Sequence, residues 1–549
     1  MRRRTSVSNY KILIAAILLY SVIFSACSSY SGDSSASNSN SANRAADYTQ
    51  NQPYAPPSTT TSNTTSVAKQ EGVFDEKSTN GERYAEISEN PFLETVRAPL
   101  STFSIDVDTA SYSNVRRFLN NGSLPPKDAV RIEELVNYFE YDYPQPVGNL
   151  PFSVNTEVAV CPWNTNHKIV QIGLQGKKVS LDNVPPSNLV FLVDVSGSMN
   201  SPDKLPLLKQ GLKTLVNQLS YKDRVAIVVY AGASGLALSS TSADDKQKIN
   251  EALDNLEAGG STNGGQGIRL AYQVAQDNFI SNGNNRVILA TDGDFNVGLT
   301  GDGELVSMIE QKRQSNIFLS VLGFGSGNLN DSMMEKLADK GNGNYSYIDT
   351  GEEARKALGQ QVAGTLYTIA KDVKIQVEFN PAKVAGYRLL GYENRLLADK
   401  DFNDDKKDAG EIGAGHSVTA LYEIVPAGQK VENPGVDELR YSRVEPSDTT
   451  FNAELLTVKL RYKEPDGDES KLLTMGLLDK NSDFENASDN LRFASAVAGF
   501  GMLLRDSNYK GDANFNKIRQ IANSSRSNDL KNYRNEFIEL IEKARRMKG

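Results

Sequence analysis

Asp194, Ser196 and Ser198 place a carboxylate and two hydroxyls at alternate positions, directly after the apolar run Leu189 to Val193. These are hard oxygen ligands, the type Mg2+ prefers. Two more oxygen donors follow. Thr262 lies in the glycine-dense stretch Gly259-Gly-Ser-Thr-Asn-Gly-Gly265, and Asp292 lies in Thr291-Asp-Gly-Asp294. Taken singly, each reads as a helix cap after a buried strand. Together, two carboxylates and three hydroxyls, some acting through water, suit octahedral Mg2+ (or Mn2+) and leave a coordination position open. Asp294 and Asn296, just beyond, are read as turn or supporting residues and stay outside the ligand set.

The surrounding elements must bring these residues together. A continuous apolar run bounded by polar residues suits a strand buried on both faces of a parallel sheet. Leu205, Leu208, Leu212, Leu215 and Leu219 then line one face of a helix, with Pro206 tolerated in its first turn. Strands are expected at 224–230, 236–238, 286–290, 317–323 and 345–348. Helices are expected at 245–256, 265–279, 304–314, 331–340 and 352–368. This alternation predicts a doubly wound, mostly parallel α/β sheet with helices on both faces. Loops leaving neighbouring parallel strands at their carboxyl ends converge, so Asp194, Ser196, Ser198, Thr262 and Asp292 can meet at one point.

The pattern Asp194-x-Ser196-x-Ser198, then Thr262, then Asp292, resembles the metal-ion-dependent adhesion site of von Willebrand factor type A domains, over about residues 186–370. The resemblance implies an ion that binds a carboxylate donated by a partner protein. It also implies that rearrangement of the threonine-bearing loop alters affinity. The stretches Leu100–Tyr112 and Asp404–Tyr422 are similar to the ends of bacterial envelope lipoproteins that carry this domain.

Residues 1–26 have the layout of a secretory signal: a basic head (Arg2, Arg3, Arg4), an apolar stretch from Ile12 to Phe24, and Ser25-Ala26 before Cys27. The cysteine makes the segment resemble a lipoprotein signal, with Cys27 lipidated; the alternative is an uncleaved single transmembrane anchor. Either way the protein is expected outside the cytoplasm, in the bacterial cell envelope, attached to a membrane. Residues 27–92 are read as a disordered tether, because Ser28 to Ser66 contains no Ile, Leu, Val, Phe or Trp. About forty such residues reach roughly 35 Å.

Residues 93–185 are expected to be an α+β region with helices at 109–119 and 130–139 and strands at 152–161 and 167–174. Residues 371–470 alternate as antiparallel strands. The two regions are expected to build one β-sandwich into which the α/β domain is inserted. Residues 471–549 finish as helices, the last from Leu530 to Ala544 with Leu530, Tyr533, Phe537, Leu540, Ile541 and Ala544 inward. Two acidic stretches could mimic cation sites. Asp106-Val-Asp108 precedes a helix and is read as a cap. Asp401–Glu411 has Lys406 where a calcium loop needs Gly, and is read as a solvated loop.

At 549 residues the chain is long enough for roughly three to four domains. The formal net charge of −9 disfavours a nucleic-acid partner, since no basic face is evident. Two cysteines, Cys27 and Cys161, exclude a disulfide framework and a cysteine-based zinc site. The expected function is a membrane-anchored protein-binding module, without catalytic residues, whose metal captures an acidic residue of a protein partner. The competing reading is a metal-dependent hydrolase. It is weakened by the scarcity of bases: the only histidines are His167 and His416, and neither adjoins the site in sequence.

Overall fold

A computed structural model describes residues 76–79, 81–180, 184–262, 264–293, 302–431, 453–527 and 529–549. The expected signal, Cys27, Asp294 and Asn296 lie outside the described residues. The chain begins with a hairpin of β1 (Glu76–Thr79) and β2 (Glu82–Ala85), then β3 (Leu93–Glu94) and β4 (Leu100–Ser104). Helices α1 (Ala110–Asn120) and α2 (Ile132–Asn137) lead to the long strands β5 (Phe152–Cys161) and β6 (Asn164–Gly176). The α/β domain opens with β7 (Ser187–Asp194), α3 (Leu205–Gln218), β8 (Arg224–Tyr230) and β9 (Ser234–Ser242). It continues through α4 (Lys246–Asp254), α5 (Gly264–Asp277), β10 (Asn284–Thr291), α6 (Asp302–Arg313) and β11 (Ile317–Phe324). It closes with α7 (Asp331–Lys340), β12 (Tyr345–Ile348), α8 (Gly351–Arg355) and α9 (Val362–Leu366).

The chain then returns through β13 (Thr368–Phe379), β14 (Val384–Leu390), β15 (Gly410–Gly413), β16 (Ser417–Pro426), β17 (Glu454–Lys463) and β18 (Lys471–Leu478). It ends in α10 (Asp489–Arg505), α11 (Phe515–Ser524) and α12 (Tyr533–Lys548).

The apolar run before Asp194 lies near the middle of a six-stranded sheet ordered β12-β11-β10-β7-β8-β9, parallel except for β9. Every residue of β7 is buried. Its side chains alternate between two cores: Val190 and Leu192 face one, and Leu189, Phe191 and Val193 face the other. Both faces are therefore sealed, which is why the strand is apolar throughout instead of alternating. The sheet grows in opposite directions from β7, toward β8 on one side and β10 on the other. A crevice opens between the loops at that reversal.

β4 pairs with β13, while the hairpin of β5 and β6 joins β16 through β6 and β16 in turn pairs with β14, so strands from both sides of the α/β domain build the two sheets of a sandwich. Phe103, Val170, Ile375, Tyr422 and Val458 meet between them. The helices α2, α10, α11 and α12 cover Cys161, Trp163 and Ile169 in a further core.

Four local expectations give way. Residues 471–478, expected in the C-terminal helical region, instead form β18, which pairs antiparallel with β17 and extends the sandwich. Residues 82–92, assigned to the tether, are docked. Tyr84 is buried among α/β-domain residues and donates to Glu82 at 2.7 Å, and Glu82 accepts from Arg117 at 2.8 Å and from the Gly327 amide at 2.9 Å. The helix expected over 352–368 is interrupted by a π-turn at Lys356–Gln360, where the Gln361 amide donates to the Lys356 carbonyl, and Thr368 already belongs to β13. Leu530, expected inward, is 85% exposed; Asn532 takes a left-handed φ of 62° and α12 starts only after it.

Candidate metal centre

Asp194 ends β7 and Asp292 follows β10, so the reversal of strand order brings two fully buried carboxylates to one crevice. The Ser196 amide donates to Asp194 Oδ1 at 2.9 Å, which folds the chain after β7 back over the carboxylate. The Ser196 and Ser198 hydroxyls lie 3.0 Å apart. Ser198 also hydrogen-bonds to Asp292, so the two halves of the site are joined. Ser196 is buried and Ser198 is exposed, which leaves one side of the cluster open to solvent.

The Thr262 loop is tied to the same place by its backbone. The Gly259 amide donates to the Val195 carbonyl at 2.7 Å, and the Gly197 amide donates to the Gly260 carbonyl at 3.0 Å. Gly260 holds a φ of 84°, which a side chain would strain. Thr262 stands half-buried two residues further on, just before α5. The structure thus links Asp194, Ser196, Ser198 and Asp292 through successive hydrogen bonds and sets the loop carrying Thr262 alongside them.

Four supporting residues were not evident beforehand. The Tyr230 hydroxyl and the Thr291 hydroxyl each donate to Asp194 Oδ2 at 3.1 Å. Lys204 Nζ donates to Asp292 Oδ2 at 2.9 Å and to Asn328 Oδ1 at 3.2 Å. Tyr230 and Thr291 end strands next to the site, a position that could have flagged them. Lys204 and Asn328 carry no comparable signal, because only the fold brings them close.

Electrostatics separate the carboxylates. Burial pushes Asp194 up to about 6, with the nearby Asp292 charge adding to the rise against hydrogen bonds from Ser196 and Tyr230. Burial also pushes Asp292 up, but bonds from Lys204, Asn328 and Ser198 outweigh it and hold that group below the usual carboxylate range. The donors are all oxygen, two of them carboxylates in one buried crevice with hydroxyls between. That chemistry fits a hard divalent cation and not a thiolate-preferring one. Asp194, Ser196, Ser198, Thr262 and Asp292 are the residues that would hold it.

The other acidic stretches are structural. Asp106 Oδ1 accepts from the Asp108 amide at 2.8 Å and Oδ2 from Arg395 at 3.1 Å; Asp108 accepts from the Tyr345 amide at 2.8 Å. Asp106 does approach Glu134 and Glu335 closely, but Arg131 pairs with both glutamates and Arg395 with Glu335. In the 401–411 loop the carbonyls of Asp401 and Asp404 accept from Lys374, and that of Asp405 accepts from Lys463. The histidines are engaged in the sandwich: His167 with Glu423 at 2.6 Å, and His416 against Gly364. No described helix is long and apolar enough to cross a membrane.

A doubly wound sheet with this constellation at its reversal point defines a von Willebrand factor type A domain protein, and residues 188–361 match the family of that description. Residues 78–171 match the family described as von Willebrand factor, and 364–547 match that described as uncharacterized protein YfbK, C-terminal. Over 472 residues the chain is 47% identical to the uncharacterized protein YfbK of Escherichia coli (strain K12), covering 84% of this chain and 81% of that one. The chain belongs to that family. Among solved structures it is similar to a von Willebrand factor type A protein from Catenulispora acidiphila (16% identity, 71% of this chain and 89% of that one, TM-score 0.39). It is also similar to BatB from Bacteroides thetaiotaomicron (24% identity, 32% of this chain and 97% of that one, TM-score 0.28). Domains of this type are in general protein-interaction or adhesion modules, and they often bind a divalent metal.

Proposed function

We propose that this protein is a lipid-anchored, extracytoplasmic binding module that captures an acidic side chain of a protein partner through a metal-ion-dependent adhesion site. The observation that carries the reading is the meeting of Asp194 and Asp292 with the Ser196 and Ser198 hydroxyls, beside the open Thr262 loop. Bound Mg2+ or Mn2+ supplies a Lewis-acidic position for a partner carboxylate. The chain's own residues do the rest. Asp194 and Asp292 supply charge, the serines and Thr262 supply neutral oxygen, and Tyr230 and Thr291 keep Asp194 oriented. Neutral hydroxyls leave the ion electrophilic, which suits a carboxylate ligand. No catalytic step is assigned to the protein.

Cys27 is proposed as the lipidated residue, with the segment behind it holding the folded part clear of a bacterial envelope membrane. Cross-linking in intact envelopes with Mg2+, compared with EDTA, is expected to yield partner adducts only with the metal. Asp194→Ala is expected to abolish them while leaving the fold intact; adducts that persist in EDTA would sink the reading. Cys27→Ala is expected to leave the membrane fraction.

A further inference from the structure

Lys204 is an unusual neighbour for a cation site. Its side chain is 9% exposed, and its ammonium is fixed between Asp292 Oδ2 at 2.9 Å and Asn328 Oδ1 at 3.2 Å. The stem passes over Gly325, which has a φ of 71° and where a Cβ would lie 2.3 Å from Lys204 Cε. Only glycine leaves room for the lysine there. The charge is therefore held on a candidate metal ligand by the fold instead of reaching it from solvent.

We propose that Lys204 sets the net charge of the metal centre and so determines its specificity for an anionic partner. The proposal rests on the metal-site reading above. Asp194 and Asp292 would neutralise a divalent ion completely, and a neutral centre attracts a carboxylate poorly. With the Lys204 ammonium on Asp292, the loaded centre keeps one positive charge. The lysine weakens binding of the dication and strengthens binding of the partner's carboxylate. In a crevice of low dielectric a unit charge at this range is worth about tenfold or more in either equilibrium. A purely structural role would not move the two affinities in opposite directions.

The test uses the mature chain and two variants. Lys204→Met removes the charge at similar length, and Asn328→Asp neutralises it while leaving the lysine in place. Mn2+ binding is measured by electron paramagnetic resonance, and acetate binding to the Mn2+-loaded protein by water-proton relaxation. Both variants are expected to bind Mn2+ about tenfold tighter and acetate about tenfold more weakly than the wild type. Folded variants with unchanged or weaker Mn2+ binding, beside a wild type that binds it, would overturn the role of Lys204 alone. A wild type that binds no Mn2+ overturns the metal centre, and the role of Lys204 with it.

Discussion

The Tyr230 hydroxyl donates to Asp194 Oδ2, and a Cβ built on Gly267 would lie 2.7 Å from the Tyr230 Cβ. Helix α5 can pack against the end of β8 only because position 267 lacks a side chain. That packing fixes the ring whose hydroxyl orients the first carboxylate of the site.

Tyr230→Phe should therefore weaken Mn2+ binding without unfolding the protein. Partners that orient a metal ligand typically contribute about tenfold in affinity. Gly267→Ala should have the same effect at a distance, by displacing the ring. Calorimetric titration with Mn2+ checks both; affinity unchanged in Tyr230→Phe would show that the hydroxyl does not orient Asp194.

Gly293 adjoins Asp292 and holds a φ of 99°, with a virtual Cβ 2.5 Å from the Asn330 amide nitrogen. That atom is backbone and cannot swing aside. Gly293→Ala should lower stability by more than about 1 kcal/mol, as alanine does at positive φ. It should also displace the Asp292 carboxylate from Ser198 and the rest of the oxygen cluster, and so weaken metal binding. Urea denaturation beside metal titration separates the two effects.

How much of this was readable beforehand follows from which residues speak locally. Leu189 to Val193 announce a buried strand because both faces of β7 are sealed, and the polar residues after it mark the strand end. Thr262 and Asp292 could be placed from the loops they occupy. Lys204 could not, since its partner is 88 positions away and only sheet order brings them together. The sandwich was legible because alternation flanks the α/β domain on both sides. The docking of β2 was not, because a short segment with one buried tyrosine carries no periodic signal. Leu530 misled for a related reason: helical periodicity continues through Asn532, while the backbone breaks there.

Arg116 joins three regions of the chain. From α1 it donates to Asp349 at 2.5 Å and Glu353 at 2.7 Å in the α/β domain, and to Glu536 of α12 at 3.2 Å. Its side chain is almost wholly buried. Removing one partner of such a network leaves uncompensated carboxylates, at a cost of about 3–5 kcal/mol. Arg116→Met should lower the urea midpoint by a corresponding amount. A Glu353→Gln, Arg116→Met double variant should recover part of the loss. A double variant no more stable than Arg116→Met would mean that the stranded Glu353 charge is not what destabilises the protein.

His416 makes stability depend on pH in one direction. Burial pushes its imidazole down from 6.5 to about 4, the nearby Lys356 charge lowers it further, and Glu140 opposes the fall. Its Nδ1 has no hydrogen-bond partner among the described residues. The unfolded chain protonates this group near 6.5 while the folded chain resists until about 4, so stability is complete above 6.5 and falls as pH drops through that window. The loss approaches about 3 kcal/mol at pH 4. Glu134 and Glu335, raised by burial, act in the opposite sense, because the folded state takes up their protons first and gains stability as pH falls. The contribution of His416 is therefore read from the difference between the wild type and His416→Gln, measured by urea denaturation from pH 7 to pH 4. That difference should change steadily against the wild type as the pH is lowered. Parallel curves for the two proteins would show that the imidazole titrates alike in the folded and unfolded chains.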